Sequence, residues 1–290
     1  MNKWLEFNAI EKEDIIDFLN KTHLIEEKKV KYSFPNKIIA TLFLEPSTRT
    51  LNSFQVAAYN LGCKVINFNE KFSSAVKGET FLDTCKTFEA IGVNALVIRS
   101  TEEKYFNKLK EIKIPILNAG DGANAHPTQC LLDIYTIWKH FNKKLNGLKI
   151  LIIGDVKHSR VASSNKKVME LLGMKVDFFG PKELSSNDSG NTDLDKVIGN
   201  YDVVMLLRIQ LERHESNEFN FSPSEYNEKY GLNETRIKKL KPSAIIMHPA
   251  PFNRGVELTD KVLDSEKCKI FEQMTNGVFV RMELLKRGLE

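Results

Sequence analysis

Short apolar runs alternate with segments of helical periodicity along most of the chain. The runs predicted to be strands fall into two sets, 38–44, 64–68, 95–98 and 114–117, then 149–153, 175–179, 202–206 and 244–247. The segments predicted to be helices lie between them, at 52–61, 80–91, 127–141 and 161–172. Such alternation is typical of parallel sheets covered by helices. The pattern therefore predicts an α/β fold with two doubly wound parallel-sheet domains joined by long helices.

The boundary between the two domains is predicted near the start of the 127–141 helix. This segment is apolar on most of its circumference, as expected of a helix that packs against both domains. The polar and aromatic stretch 210–232 has no clear period, which predicts a long loop with a short helix near 223–230. We predict a first domain at 1–128, a second at 129–274, and a C-terminal helical segment, 275–290, that packs back on the first.

The composition is ordinary for a globular protein. The 290 residues are 42% hydrophobic and 28% charged, with a net charge of +4. The lysines are scattered, which argues against a nucleic-acid-binding surface. No apolar run approaches the roughly 20 residues that span a bilayer, and the N-terminus lacks a signal-peptide pattern. The four cysteines are far apart, which predicts reduced, mostly buried thiols in a cytoplasmic protein. The lysine distribution and the short apolar runs predict that it contacts neither nucleic acid nor membrane.

Polar and charged residues follow most of the predicted strands. In doubly wound folds, ligands bind at the carboxyl ends of the strands, so residues in these positions are candidates for a binding site. They are Thr48 and Arg49 after the first strand, Arg99 after the third, Gly120-Asp121-Gly122 and His126 after the fourth, Asp155 to Arg160 after the fifth, Arg208 and Gln210 after the seventh, and His248 to Pro251 after the eighth.

The first of these groups, Ser47-Thr48-Arg49-Thr50, stands where a predicted strand gives way to a predicted helix. Backbone N–H groups at a helix start have no helical partner, and the helix dipole there favours negative charge. A phosphate would suit this turn, and Arg49 would add a positive fork. An ordinary N-cap, with Ser47 or Thr48 bonded to the free amides, explains this segment alone equally well. Both interpretations stay open at this point.

Each of the other groups also has a purely structural alternative. Arg99 alone is better explained as a solvated charge at a strand end, and His126 with Gln129 fits a cap of the following helix. The segment 154–160 resembles a dinucleotide-binding turn but lacks the G-x-G-x-x-G spacing, which argues against such a cofactor. The prolines after His248 stiffen the backbone, so its carbonyl groups can act as fixed acceptors. The groups occurring together favour one binding site over a set of unrelated caps.

Taken in order, these motifs resemble those of the carbamoyltransferases. They are Ser47-Thr48-Arg49-Thr50, Arg99, His126-Pro127-Thr128-Gln129, Arg160, Arg208-x-Gln210 and His248-Pro249-Ala250-Pro251. The resemblance spans about 43–257. Within the family, the Lys77-Gly78-Glu79-Thr80 run and the lack of a cysteine beside His248 indicate the aspartate-specific branch rather than the ornithine-specific one.

The resemblance implies transfer of the carbamoyl group of carbamoyl phosphate to the amine of L-aspartate, a step of de novo pyrimidine biosynthesis. The implied phosphate ligands are Ser47, Thr48, Arg49, Thr50 and Arg99, with Ser73 and Lys77 supplied by a neighbouring subunit. The implied ligands of the carbamoyl oxygen are Thr50, Arg99 and His126, and those of its NH₂ group are Gln129 and the carbonyl groups of Pro249 and Ala250. The implied ligands of the aspartate carboxylates are Lys77, Arg160, Arg208 and Gln210.

The same resemblance implies a homotrimer with active sites at the subunit interfaces and no metal or organic cofactor. It leaves the attachment of regulatory chains open, and it suggests a salt bridge from Glu45 to Arg160 or Arg213 on closure. The chain departs from the family pattern at Leu51, where arginine is common, and at Ala250, where some members have leucine. Two alternatives remain: a carbamoyltransferase for another amine such as ornithine, and a non-catalytic anion-binding paralogue.

Overall fold

The computed structural model describes residues 3–7, 9–69, 78–182, 184, 193–209 and 221–290. The strands are β1 (Ile38–Phe43), β2 (Lys64–Phe68), β3 (Ala95–Ser100), β4 (Ile116–Asp121), β5 (Lys149–Ile153), β6 (Lys175–Phe179), β7 (Val203–Leu206) and β8 (Ile245–Met247). The α-helices are α1 (Lys3–Glu6), α2 (Lys12–Glu26), α3 (Thr48–Asn60), α4 (Phe81–Ala90), α5 (Pro127–His140), α6 (Arg160–Leu171), α7 (Leu194–Val197), α8 (Pro223–Tyr230), α9 (Glu234–Ile237), α10 (Asp260–Leu263) and α11 (Ile270–Leu289). None of the described helices combines the length and apolar character needed to cross a membrane.

The strands form two four-stranded sheets in which neighbouring strands are parallel. The strand order is β2-β1-β3-β4 in the first sheet and β6-β5-β7-β8 in the second. In each sheet the strand order reverses at the two central strands, which are β1 and β3 in the first sheet and β5 and β7 in the second. The carboxyl ends of such central strands border the crevice where doubly wound folds bind ligands. The predicted fold class is confirmed.

Contacts along the chain divide it into two compact units. Unit 1 comprises Met1–Tyr135 and Met274–Glu290, and unit 2 comprises Thr136–Gln273. Unit 1 therefore holds the first sheet and unit 2 holds the second. The chain leaves unit 1 within α5 and returns to it within α11, so both divisions fall inside helices. The boundary predicted from the sequence stood at 128/129, near the beginning of α5.

The core of unit 1 forms because its central strands are apolar along nearly their whole length. Ala40 and Leu42 of β1 and Leu96 and Ile98 of β3 are fully buried, and they pack in one cluster with Cys85 of α4. Continuous apolar runs are expected of parallel strands that are covered on both faces.

Strand β4 lies further along the chain than predicted. It was expected at 114–117, but it runs from Ile116 to Asp121, so Gly120 and Asp121 belong to its end rather than to a following turn. The sequence did not predict this extension because its residues are partly polar. They are nevertheless buried, with their hydrogen bonds satisfied. Asn118, for example, donates to Leu5 O at 2.7 Å and accepts from Gly120 N at 2.8 Å.

Helix α2 was absent from the predicted elements, although its apolar positions recur at helical spacing. The buried residues of this 15-residue helix are Ile15, Phe18, Leu19, Thr22 and Ile25. This three-and-four spacing is the signal that would have predicted it.

Candidate active site

The Ser47–Thr50 segment begins helix α3 without a side-chain cap. The helix starts at Thr48, four residues before the predicted start, so Thr48, Arg49 and Thr50 form its first turn. Ser47 occupies the N-cap position with an extended backbone, yet its side chain makes no capping hydrogen bond. Thr48 and Arg49 are exposed and Thr50 is buried. The first-turn amides are therefore not covered by Ser47, which favours the anion-binding interpretation over the ordinary cap.

Arg99 lies beside this turn because of the register of the first sheet. It is the partner of Phe43, the last residue of β1, in the parallel pairing of β1 with β3. The backbone N–H of Leu44 also donates to Arg99 O at 2.9 Å. The Arg99 Nε atom lies 2.6 Å from Glu45 Oε1 in an ion pair. Glu45 thus contacts Arg99. The salt bridge from Glu45 to Arg160 or Arg213 on closure stays a prediction, and Arg213 lies outside the described residues.

His126 immediately precedes α5 and is buried, with its ring against Arg99. Its Nε2 atom lies 3.3 Å from Arg99 Nη1, which also lies 3.4 Å from Ala119 O. A guanidinium can only donate, so Nε2 is the acceptor in this contact and the ring proton resides on Nδ1. A hydrogen bond in this contact requires the neutral ring, because two donors cannot bond to each other.

Gln129 lies in the first turn of α5, and its side chain points along the helix rather than back to its start. The Nε2 atom donates to Asp133 Oδ1 at 2.8 Å. The capping-box alternative requires this side chain at the backbone N–H of His126 instead. With its NH₂ group held by Asp133, the Gln129 amide presents its oxygen as an acceptor.

The turn that leads to His126 is fixed by Asp121, which is fully buried. One carboxylate oxygen accepts from Ala125 N at 2.9 Å and from Asn118 at 3.2 Å. The other accepts from Lys104 N at 3.1 Å and from Asn124 at 2.8 Å. Four donors hold this carboxylate, so Asp121 has a structural role behind the site rather than a role in contacting a ligand.

A second residue behind the same site, Arg281 of α11, was missed by the sequence analysis. It is 3% exposed, and its guanidinium carbon lies 5.2 Å from the centroid of the Phe54 ring. Its Nη2 atom is 3.4 Å from Thr128 Oγ1. Burial lowers the pKa of Arg281 to about 9, with Arg99 acting in the same direction and Asp133 against it. The signal in the sequence was an arginine beside the apolar positions of the last predicted helix.

In unit 2, a glycine brings the ends of β5 and β7 close together. Gly154 follows β5 with φ +128°, and a Cβ atom added to it would lie 2.8 Å from Leu207 O. Beyond this glycine, Asp155 accepts from the His158 ring at 2.9 Å. Ser159 then caps α6 by accepting from Ala162 N at 3.2 Å. Arg160 is the first residue of that helix.

Arg208 follows β7 at the same edge of the second sheet. The preceding residue still pairs with β5, since Leu207 N donates to Ile153 O at 2.7 Å. Arg208 is partly buried, whereas Ile209 is fully buried. Gln210, predicted to act with Arg208, lies outside the described residues, as do Ser73 and Lys77.

The loop after β8 is held by the His248 side chain. Its Nδ1 atom accepts from Ala250 N at 2.8 Å, and its own backbone N–H donates to Gln273 Oε1 at 2.9 Å. Ala250 has φ +54°, in the left-handed region that alanine seldom occupies. The directions of the Pro249 and Ala250 carbonyl groups are therefore set by tertiary contacts.

The predicted site residues thus fall into two groups, each at the carboxyl edge of one sheet. The unit 1 group consists of Ser47, Thr48, Arg49, Thr50, Arg99, His126 and Gln129. The unit 2 group consists of Arg160, Arg208, Pro249 and Ala250. A pair of cationic and hydrogen-bonding groups beside an uncapped helix start can bind a phosphoryl compound and polarise a carbonyl oxygen. Two arginines near a loop of fixed carbonyl groups can bind carboxylates and an NH₂ group.

Comparisons with known proteins agree with this division. Residues 2–139 match the profile of the aspartate/ornithine carbamoyltransferase carbamoyl-P binding domain, and residues 146–287 match that of the Asp/Orn binding domain. The aspartate carbamoyltransferase catalytic subunit of Fusobacterium nucleatum is 45% identical over 293 residues, covering 100% of this chain and 96% of the relative.

Two solved structures share the fold over nearly their whole length. The catalytic subunit of M. jannaschii aspartate transcarbamoylase is 34% identical, with a TM-score of 0.83, and 96% of this chain and 94% of that one are covered. The Trypanosoma cruzi aspartate transcarbamoylase in complex with carbamoyl phosphate and aspartate is 30% identical, with a TM-score of 0.83 and coverages of 95% and 93%. The resemblance drawn from the motifs is confirmed, and this chain belongs to the aspartate/ornithine carbamoyltransferase family.

Proposed function

We propose that this chain transfers the carbamoyl group of carbamoyl phosphate to the amine of L-aspartate, which gives N-carbamoyl-L-aspartate and phosphate and serves pyrimidine biosynthesis. The structural observation that carries the proposal is the Arg99–His126 pair beside the uncapped start of α3. Support for the choice of aspartate comes from relatives that bear the aspartate carbamoyltransferase name at 45–49% identity.

The phosphate group would bind at the start of α3. The first-turn N–H groups and the hydroxyl groups of Ser47, Thr48 and Thr50 provide donors, and the exposed Arg49 can add a bidentate contact. Arg99 lies beside this turn and can bridge from the phosphate to the carbamoyl group.

The carbamoyl oxygen would accept from Thr50, Arg99 and His126, and the donor on His126 would be its Nδ1–H as long as Nε2 accepts from Arg99. Negative charge develops on this oxygen as the amine attacks, and removing one such donor typically costs about 10²–10³ in rate. The contact between Arg99 and the neutral His126 ring keeps both groups in place before substrate binds. The oxygen of Gln129 and the carbonyl groups of Pro249 and Ala250 would accept from the carbamoyl NH₂ group.

The carboxylates of aspartate would bind Arg160, Arg208, Gln210 and Lys77. In the reaction, the amine nitrogen forms a bond to the carbamoyl carbon, and the bond from that carbon to the phosphate oxygen breaks. The leaving phosphate can accept the amine proton, so no side chain has to act as a nucleophile. Catalysis then rests on positioning and electrostatic stabilisation.

Replacement of Arg49 by alanine tests the phosphate assignment. We expect turnover to fall by two or more orders of magnitude, because a bidentate charged contact to the phosphate is lost, while the circular dichroism spectrum is unchanged. Lys196→Ala is a control, since that side chain is 80% exposed and lies in α7, which holds none of the proposed ligands. Near-normal turnover of the Arg49→Ala chain would refute the assignment.

We further propose a homotrimer in which Ser73 and Lys77 complete the site of a neighbouring subunit. Exposed apolar side chains lie on α3 and on the edge strand β2, namely Val56, Tyr59 and Ile66. Exposed apolar groups on an edge strand and its neighbouring helix are typical of an interface. If the site is shared, a mixture of Arg49→Ala and Lys77→Ala chains recovers activity. Mixed trimers without activity would show that each site is built within one chain.

A cytoplasmic location fits the cysteines, all four of which are free thiols. A carbamoyltransferase for another amine is the second candidate. Assays with L-aspartate, L-ornithine and an acylated ornithine as acceptors separate these activities directly.

A further inference from the structure

Unit 2 contains a buried carboxylate, Glu257, that the proposed reaction does not use. Glu257 is only 1% exposed to solvent. One oxygen, Oε1, accepts from Ile209 N at 2.8 Å and from Asn253 Nδ2 at 3.0 Å. The other, Oε2, accepts from Asn253 N at 2.5 Å. The carboxylate is thus held by three N–H donors from two separate segments of the chain.

Asn253 binds the carbonyl group of the same residue, Ile209. The Asn253 Nδ2 atom, which donates to Glu257, also donates to Ile209 O at 3.1 Å. Both the N–H and the C=O of Ile209 are therefore bound by side chains from the segment after β8. Inside a sheet, a neighbouring strand would bind these groups, but β7 has already ended at Leu206. We call this arrangement of Glu257, Asn253 and Ile209 the carboxylate clamp.

The side chain of Ile209 is fixed as firmly as its backbone. It is fully buried in a small apolar cluster with Leu184, Tyr226 and Val256. Rotation or sliding of the peptide at Ile209 would break either this packing or the clamp. The position of the segment after β7 is consequently set by contacts on both sides.

The clamp connects two segments that carry proposed ligands. Ile209 stands between Arg208 and Gln210, so holding its peptide group fixes the direction from which the Arg208 side chain leaves the backbone. Asn253 follows the loop that contains Pro249 and Ala250. One carboxylate therefore sets the spacing between a proposed aspartate ligand and the proposed acceptors of the carbamoyl NH₂ group.

Burying this carboxylate has a cost, which indicates that it is not an incidental core residue. Burial raises the pKa of the Glu257 carboxyl, and the hydrogen bonds from Ile209 and Asn253 oppose that effect only in part. A carboxylate removed from water is unfavourable unless its hydrogen bonds are complete. An apolar residue would fill the same space but could not bind the Ile209 amide.

We propose that Glu257 and Asn253 are positioning residues for aspartate binding, acting through Arg208. This inference rests on the proposed function. Neither residue needs to touch substrate, and the effect of losing them arises because a displacement of about 1 Å at a binding group can cost on the order of 10² in rate. Loss of either residue should weaken the binding of aspartate, whereas phosphate binding at the start of α3 in unit 1 should be retained.

The experiment compares Glu257→Gln and Asn253→Ala with Glu266→Gln, an exposed carboxylate of the same unit. In Glu257→Gln, an NH₂ group replaces one oxygen, so a donor meets the N–H of either Ile209 or Asn253. We expect at least a tenfold loss of kcat/KM for L-aspartate, carried mainly by a higher KM. Inhibition by inorganic phosphate should change by less than about threefold. The control should match the wild type in both measurements.

The double variant separates positioning from a general loss of structure. Because Glu257 and Asn253 act on one peptide group, we expect the double variant to lose no more than the more affected single variant. Independent losses that multiply would overturn the proposal, as would an aspartate KM equal to that of the control. Equal weakening of aspartate and phosphate would also overturn it. If Glu257→Gln does not fold, Asn253→Ala alone decides by the same KM criterion.

The wild-type measurement distinguishes the two levels of the proposal. A wild-type chain that does not carbamoylate L-aspartate refutes the proposed function and the clamp's role in it. A wild-type chain that is active, with Glu257→Gln and Asn253→Ala equally active, refutes the clamp alone.

Discussion

Replacement of Ser47 by alanine tests whether the start of α3 is a ligand site or an ordinary cap. If Ser47 capped the helix, alanine would cost typically about 1 kcal/mol of stability. Its side chain makes no capping hydrogen bond, so we expect the ligand-free protein to lose much less than that. Thr80→Ala is the matched control in unit 1, because Thr80 Oγ1 accepts from Asp83 N at 3.1 Å and its loss should show the full cost.

With phosphate bound, Ser47→Ala should become less stable than Thr80→Ala, which is the reverse of their order without ligand. A hydrogen bond to a charged group is worth about 1.5–3 kcal/mol, which corresponds to roughly a 10- to 100-fold weaker affinity. A ligand at about 100 times its Kd stabilises the folded state by about 2.7 kcal/mol. At the same phosphate concentration, a tenfold weaker Ser47→Ala chain would gain only about 1.4 kcal/mol by the same relation. Thr80→Ala should keep the wild-type gain.

The assay is urea unfolding with and without inorganic phosphate, at one protein concentration because assembly also shifts apparent stability. Midpoints are compared within each variant, which limits the influence of separate unfolding of the two units. A Ser47→Ala midpoint lowered as much as that of Thr80→Ala without ligand would show that Ser47 is an ordinary cap. Equal stabilisation of both variants by phosphate would show that Ser47 does not contact the ligand.

Three further predictions concern other parts of the structure. Asp121→Asn places an NH₂ group against buried donors, so we expect about 2 kcal/mol lower stability and a lower kcat, because the turn before His126 loosens; urea midpoints and initial rates measure both. Ala250→Val strains a residue at φ +54°, so kcat/KM should fall at least tenfold, whereas Ala250→Gly should change it by only a few-fold. A hydrogen bond from Arg236 lowers the pKa of Asp195, so the stability advantage of the wild type over Asp195→Asn should be present at pH 7 and vanish as the pH falls below the ordinary value of 3.8.

Each of these expectations has a clear contrary result. Asp264→Asn, at an exposed position, is the control for Asp121→Asn, and equal stability of the two variants would contradict the role given to Asp121. Equal activity of the valine and glycine chains would show that strain at position 250 is not limiting. Wild-type and Asp195→Asn stability curves that stay parallel into acid would contradict the ion-pair argument.

Much of the fold was predictable because short apolar runs mark the strands and helical periodicity marks the segments between them. β2, β5 and β6 have the predicted bounds, although only β5 is mainly buried and the edge strands β2 and β6 are partly exposed. The start of α3 was misplaced because its first turn is polar, and polar residues carry no apolar period. β4 was misplaced for a related reason, since hydrogen-bonded buried polar residues such as Asn118 look like loop residues in a sequence.

The candidate site was predictable where a residue both ends a strand and carries charge, as with Arg99 and Arg208. Residues that act from behind the site were not predictable in this way. Arg281 lies in a helix far along the chain, and its burial depends on tertiary packing. Glu257 was overlooked because only the structure shows which backbone groups its carboxylate binds.

The return of α11 to unit 1 has a consequence for biosynthesis. Arg281 contacts Thr128 and Phe54, yet a ribosome translates it only after the whole of unit 2. At roughly 5–20 residues per second, on the order of ten seconds pass between the synthesis of the first part of unit 1 and that of α11. During this interval the apolar surface that α11 later covers is open to chaperones. The unit that holds the proposed phosphate site is therefore encoded first but completed last.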